Sequence, residues 1–284
     1  MASTHDILLL LLLLLLSPPL VSSKGVSINV DDYKSVQAAL DFAADAGNRV
    51  ATVLFSRNKE YRLTGADPDT DTHMLQLSWA NGLRIDGQNA SIVVGDPRKG
   101  LFAISHCTNI MVQNLHIDYD PRPNAQGTVV SVDPASASIA VELDAGDTLE
   151  HSYFSEANHR WALIKDKLNP RRQKPGMKNY MDIAAFRRVG GARSGARWNI
   201  SLPAHMFVSD VPAKIEAGDA YVQLARTNNA MVFSVYSSVS VRFVDIRIWS
   251  APAASYVALN CTGLWFQTQN SNANPYPNPH SNPF

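Results

Sequence analysis

His116 and Asp118 stand two residues apart in one run of alternating apolar residues, and Asp245, Arg247 and Trp249 stand two apart in another. Alternation at period two places such residues on one face of a strand. With Leu115, Ile117, Ile246 and Ile248 turned inward, the outward files are Asn114 over Asp245, His116 over Arg247 and Asp118 over Trp249. Imidazole, guanidinium and carboxylate can hold hydroxyl groups, and an indole can take the apolar face of a sugar ring. Ordinary surface residues on a sheet face covered by another part of the chain account for the same pattern equally well. No residue is assigned a catalytic role. The chain has no glycine-rich phosphate loop, no zinc spacing and no nucleophile elbow, so no cofactor or metal is expected.

The elements that must position these residues are very short. Leu75-x-Leu77 is followed by Leu83-x-Ile85, Phe102-x-Ile104 by Ile110-x-Val112, Phe233-x-Val235 by Val241-x-Phe243, and Val257-x-Leu259 by Leu264-x-Phe266. Copies that follow directly begin 24 to 27 residues apart, a period that points to stacked units. Strands this short cannot bury a face alone, but stacked at about 4.8 Å they form parallel sheets round one continuous core. The expected fold is all-β, a right-handed parallel β-helix; a β-sandwich with irregular strands is the alternative.

The N-terminus shows nine consecutive leucines, Leu8 to Leu16, then Ser17-Pro18-Pro19 and small residues to Ser23. This predicts a signal peptide over residues 1–23 and a secreted, extracellular protein with no membrane attachment after cleavage; an uncleaved anchor is the lesser alternative. Sequons at Asn89, Asn199 and Asn260 agree with that route. From Asp31-Asp32, read as an N-cap, apolar residues recur at helical spacing through Val36, Ala39, Leu40 and Ala43, with Gly47 as a stop and a strand over Val50 to Phe55. This helix would close one end of the core. Asp67-Pro-Asp69-Thr-Asp71 lacks the glycine and glutamate of a calcium loop and reads as an acidic turn.

After Asp120-Pro121 the repeat stops until about Met231, and hairpin-like runs take its place: Thr128 to Val132, Ser138 to Leu143, Trp161 to Ile164, Trp198 to Leu202 and Ala220 to Ala225. They predict a small antiparallel barrel inserted into one turn of the larger body. The resulting layout is cap and first coils over 24–120, the insert over 121–230, resumed coils over 231–268 and an Asn/Pro-rich, disordered tail over 269–284. Inside the insert, Lys165, Lys167, Arg171, Arg172, Lys174, Lys178, Arg187, Arg188, Arg193 and Arg197 face only Asp166 and Asp182. They could line a groove for an anionic glycan, or lie on a solvated loop. The chain as a whole has 25 basic and 25 acidic residues among 284, which gives no general pull toward nucleic acid or membrane.

The capping helix, the interrupted coils, Gly218-Asp219 with Val222-x-Leu224-x-Arg226 closing the insert, and Ser250-Ala-Pro252-Ala closing the resumed coil together resemble secreted pectate-lyase-like β-helix proteins. Over residues 26 to 266 the organisation is most similar to the α-1,3-galactosidase-like group, which carries a barrel inserted in its β-helix. That resemblance implies inverting hydrolysis of terminal α-galactosides by aspartates on coils downstream of the insert. This chain departs from the pattern there: Gln269 and Ser271 stand where inward aliphatics are due, and the later coils with their paired aspartates have no counterpart. Glycosidic inversion needs two carboxylates about 6.5 to 9.5 Å apart. Three functions follow: a shortened glycosidase-like protein, a non-catalytic glycan-binding protein, or a polysaccharide lyase. The partner expected in each case is carbohydrate, either galactose-containing or anionic. Cys107 and Cys261 fall at nearly the same turn of coils two spacings apart, roughly 9 to 10 Å, too far for a disulfide. Both are expected to be free thiols.

Overall fold

The structure is a computed structural model that describes residues 25–64, 72–155, 160–177, 181–190, 195–203, 214–225 and 231–267. The leucine run, the acidic turn at Asp67–Asp71 and the tail from 268 onward therefore lie outside the described residues. In chain order the first part comprises β1 (Val26–Asn29), α1 (Val36–Asp45), β2 (Val50–Leu54), β3 (Glu60–Leu63), β4 (His73–Ser78), β5 (Arg84–Val94), β6 (Gly100–Ser105) and β7 (Thr108–Tyr119). The middle part comprises β8 (Asn124–Asp133), β9 (Ser138–Leu143), α2 (Ser152–Ser155), β10 (Trp161–Asp166), β11 (Asn169–Gln173), β12 (Met181–Asp182), β13 (Ala185–Gly190), β14 (Arg197–Ser201) and β15 (Ala220–Leu224). The last part comprises β16 (Phe233–Tyr236), β17 (Val239–Ile248), β18 (Tyr256–Leu259) and β19 (Thr262–Gln267). The described chain is mostly strand.

Two of its three sheets are parallel. One runs β1-β2-β5-β7-β17-β19 with β3 beside β5, and the other runs β18-β16-β6-β4. The chain visits them alternately: β4 then β5, β6 then β7, β16 then β17, β18 then β19. Inward residues stack in register, Leu75 on Phe102 on Phe233 on Tyr256, and Ile85 on Val112 on Phe243 on Phe266. They form one core. Its last layers are aromatic, with Phe233 stacked on Tyr256 at 5.2 Å and Phe243 on Phe266 at 5.5 Å.

The corners repeat as strictly as the strands. Trp79, His106, Ser237 and Asn260 occupy one file of left-handed residues, Gly82, Asn109, Ser240 and Gly263 a second, and Asn89, Asn114 and Asp245 a third. Left-handed backbone costs least for glycine, asparagine and aspartate, which is why the turns between apolar runs read as polar. Trp79 is the exception. Its φ of 62° costs on the order of 1 kcal/mol for a bulky residue.

At the N-terminal end α1 buries Val36, Ala39, Leu40 and Ala43 toward β2 and β4. Its N-cap is Ser35, whose hydroxyl accepts the backbone N–H of Ala38 at 3.1 Å. Asp31 and Asp32 instead belong to a short 3-10 turn capped by Asn29, which corrects the expected N-cap. Asp31 spends its carboxylate on Lys59 Nζ at 2.8 Å, the Tyr61 hydroxyl at 3.0 Å and the Ser56 hydroxyl at 2.6 Å, and the hydrogen bond from Lys59 first among these holds it below the ordinary carboxylate range. Gln37 of α1 caps the edge of β4. Its Oε1 accepts the Gln76 backbone N–H at 2.8 Å and its Nε2 donates to the Gln76 carbonyl at 2.9 Å, so one side-chain amide stands in for a missing strand.

The middle part forms one antiparallel sheet, β11-β10-β15-β8-β9-β14-β13 with β12 beside β10. It has its own core around Phe154, Ile164, Trp198, Ile200 and Tyr221. In chain order this sheet, with its own core, lies between β7 and β16. Among the described residues β11 and β13 are not paired with each other, so the ladder of a closed barrel is not seen.

Candidate functional site

The sheet that carries β7 and β17 bends at its third file of left-handed residues, and Asp86 secures the bend. Its carboxylate accepts from Arg84 Nη2 at 3.1 Å, Gln113 Nε2 at 2.8 Å, Asn114 Nδ2 at 3.0 Å and the backbone N–H of Gln88 at 3.1 Å. Beyond the bend, outward residues of four strands fall into rows. Glu60, Ser91, His116 and Arg247 share one row, and Arg62, Val93 and Asp118 share the next. Trp249 continues that second row, because its backbone N–H donates to the Ile117 carbonyl at 2.9 Å.

Four of the five expected residues, His116, Asp118, Arg247 and Trp249, thus lie side by side. His116 and Arg247 are half-buried neighbours, and burial first, then the Arg247 charge, lowers the pKa of the imidazole. At neutral pH His116 is uncharged, with one nitrogen to donate and one to accept. Asp118 is fixed through Oδ1, which accepts the Tyr119 backbone N–H at 2.9 Å and the Ser250 hydroxyl. Trp249 is 42% exposed, so its ring is available from solvent. Asp245 sits apart from these, in the bend at φ 53° above Asn114, and Asn114 is occupied with Asp86.

Sequence reasoning did not find the β3 residues. Arg62 pairs with Asp120 at 2.9 Å and reaches Glu60 at 4.0 Å, which puts a cation and two carboxylates at the open end of both rows. The alternation in Glu60-Tyr61-Arg62-Leu63 was the available signal. Chemically the face offers hydrogen-bond donors and acceptors beside an exposed indole. Among the described residues no group of three His, Cys, Asp or Glu is placed to hold a metal, and no helix is long and apolar enough to cross a membrane.

Four cations of the insert's basic run are paired within the insert. Lys167 pairs with Glu216 at 2.7 Å, Lys174 with Asp219 at 2.6 Å, Arg188 with Glu150 at 2.7 Å and Arg197 with Glu142 at 3.1 Å. Antiparallel pairing brings in carboxylates that are distant in sequence, so counting local charges overstated the patch. Lys178, Arg193 and the side chain of Arg171 lie outside the described residues. The sequons also differ. Asn89 and Asn260 are exposed at left-handed corners, whereas Asn199 lies mid-strand between β9 and β13 with Oδ1 buried and unpartnered.

A hollow of about 1200 Å³ lies between α1 and strands β3 and β4, lined by Asp31, Lys59, Tyr61 and His73 among others. Among its charged groups, Asp31 and Lys59 are paired with each other. Comparison with protein-family models and with curated proteins gives no match for this chain.

Proposed function

We propose that this chain is a right-handed parallel β-helix protein of the secreted, α-1,3-galactosidase-like kind. It recognises carbohydrate on the outer face of its longer parallel sheet and does not hydrolyse it. The observation that carries the reading is the register that sets His116 against Arg247 and Asp118 beside Trp249. Alternate visits to two parallel sheets, an end closed by a helix and an antiparallel insert are the organisation expected of that group. A neutral imidazole, a fixed carboxylate and a guanidinium supply both donors and acceptors for ring hydroxyls, and Trp249 supplies an apolar platform. That mixture suits a neutral galactoside better than a uronic polymer, because four of the insert's cations, Lys167, Lys174, Arg188 and Arg197, are paired internally. Inversion would need a second carboxylate across the bond. Asp118 is held by two donors, and Asp245 lies in the bend.

The test is retention on a glycan array together with a chromogenic α-galactoside assay. Binding of terminal galactosides that Trp249→Ala weakens about tenfold or more, with turnover at background, is the expected result. Turnover that Asp118→Asn or Asp245→Asn abolishes would instead make this an active glycosidase. Retention of uronic polymers alone would point to the lyase reading.

A further inference from the structure

At the corner that follows the four-stranded sheet, each repeat places one residue in left-handed backbone: Trp79, His106, Ser237 and Asn260. Serine and asparagine suit that position, but tryptophan is strained there. Its ring lies on that of His106, with centroids 4.4 Å apart and planes 10° apart, which offsets the strain. The indole nevertheless remains 76% exposed. Folding therefore gains almost nothing from an indole at this corner. Because β4 is the edge of its sheet, no further strand lies beyond Trp79 among the described residues, and the ring face turned away from His106 is open to solvent. Ser78 and Ser105 stand beside it with their hydroxyls 2.7 Å apart. No acid, lysine or arginine occurs between Leu77 and Leu83 or between Ile104 and Ile110.

We propose that Trp79 is a second carbohydrate site, separate from the outer-face rows, whose indole takes the apolar face of a neutral hexose while the Ser78 and Ser105 hydroxyls serve the sugar's edge. An exposed indole flanked by hydroxyls and lacking charge selects a neutral ring over an acidic one. The inference rests on the carbohydrate-binding reading above. The test is calorimetric titration of the full chain with a galactose-terminated oligosaccharide. Two sites are expected for the unaltered protein and one for Trp79→Asn, which supplies the residue type that the backbone prefers. That variant is expected to melt no lower than the parent, so its lost site cannot be ascribed to unfolding. Trp249→Ala is expected to lose the other site and keep this one. Unchanged stoichiometry and affinity in Trp79→Asn would overturn the proposal and leave the outer-face reading intact. No uptake of sugar by the unaltered protein would overturn both.

Discussion

His73 shows how a single buried ring ties the stability of this molecule to pH. It is 4% exposed, its Nδ1 lies 2.8 Å from the Thr72 hydroxyl and its Nε2 2.8 Å from the Ser234 hydroxyl. Both neighbours are uncharged, and burial lowers the pKa to about 4. An unfolded chain takes up this proton near pH 6.5, whereas the folded chain resists it until about pH 4. Across that window the unfolded state binds more protons, so stability falls as pH falls. At full extent one such group is worth about 3 kcal/mol. Melting followed from pH 7 to pH 4 is expected to show this loss, and His73→Gln to flatten it. An identical slope in the variant would place the effect elsewhere. His116, whose pKa is also lowered, acts in the same direction.

Edges decide the outcome for the elements. Gln37 covers the edge of β4 through two hydrogen bonds to Gln76, and an ordinary hydrogen bond contributes about 0.5 to 1.5 kcal/mol net. Gln37→Ala is therefore expected to lower stability by that order in a denaturant titration, while Gln37→Glu loses the donation to the Gln76 carbonyl and keeps the acceptance from its N–H. A neutral result for Gln37→Ala would mean that the helix holds its place through apolar packing alone. Much of this level was legible in the sequence. The period-two runs located β4 to β7, β16, β17 and β19, because inward side chains in a stacked sheet must be apolar whatever else the chain does. In β18 the register is one residue off the expected Val257-x-Leu259, with Tyr256 on Phe233 and Leu259 exposed. The helix start was misread, since an acidic pair and a serine are both good caps and only the fold shows that Asp31 is taken by Lys59, Ser56 and Tyr61. β3 was missed because four residues carry too little periodicity. The counter-charges of four cations in the basic run, Glu142, Glu150, Glu216 and Asp219, are far off in sequence and arrive only with the fold.

For the molecule as a whole, the two ends of the larger core differ. One is closed by α1, while at the other Phe243, Ile246, Ile248, Tyr256 and Phe266 line an apolar hollow of about 510 Å³. Between the ends, β16 lies between β6 and β18. The order fits the spacing argument for the cysteines. Cys107 is buried and Cys261 half-buried, and both are free. Their thiols point to backbone carbonyls of the preceding strands, Cys107 to Leu77 and Cys261 to Val235. The candidate site was legible to the extent that alternation could reveal it, as the files of His116, Asp118, Arg247 and Trp249. The contributions of Glu60, Arg62 and Ser250 depend on register between strands, which no single run of residues contains. The central claim is that sugar binds on those rows, and the chain's five tryptophans allow this to be seen directly. Indole NMR signals, assigned through single Trp→Phe variants and followed as methyl α-galactoside is added, are expected to shift at Trp249 and Trp79 and to stay fixed at the buried Trp198. Saturable shifts confined to other indoles, or none at any concentration that the protein tolerates, would contradict the claim.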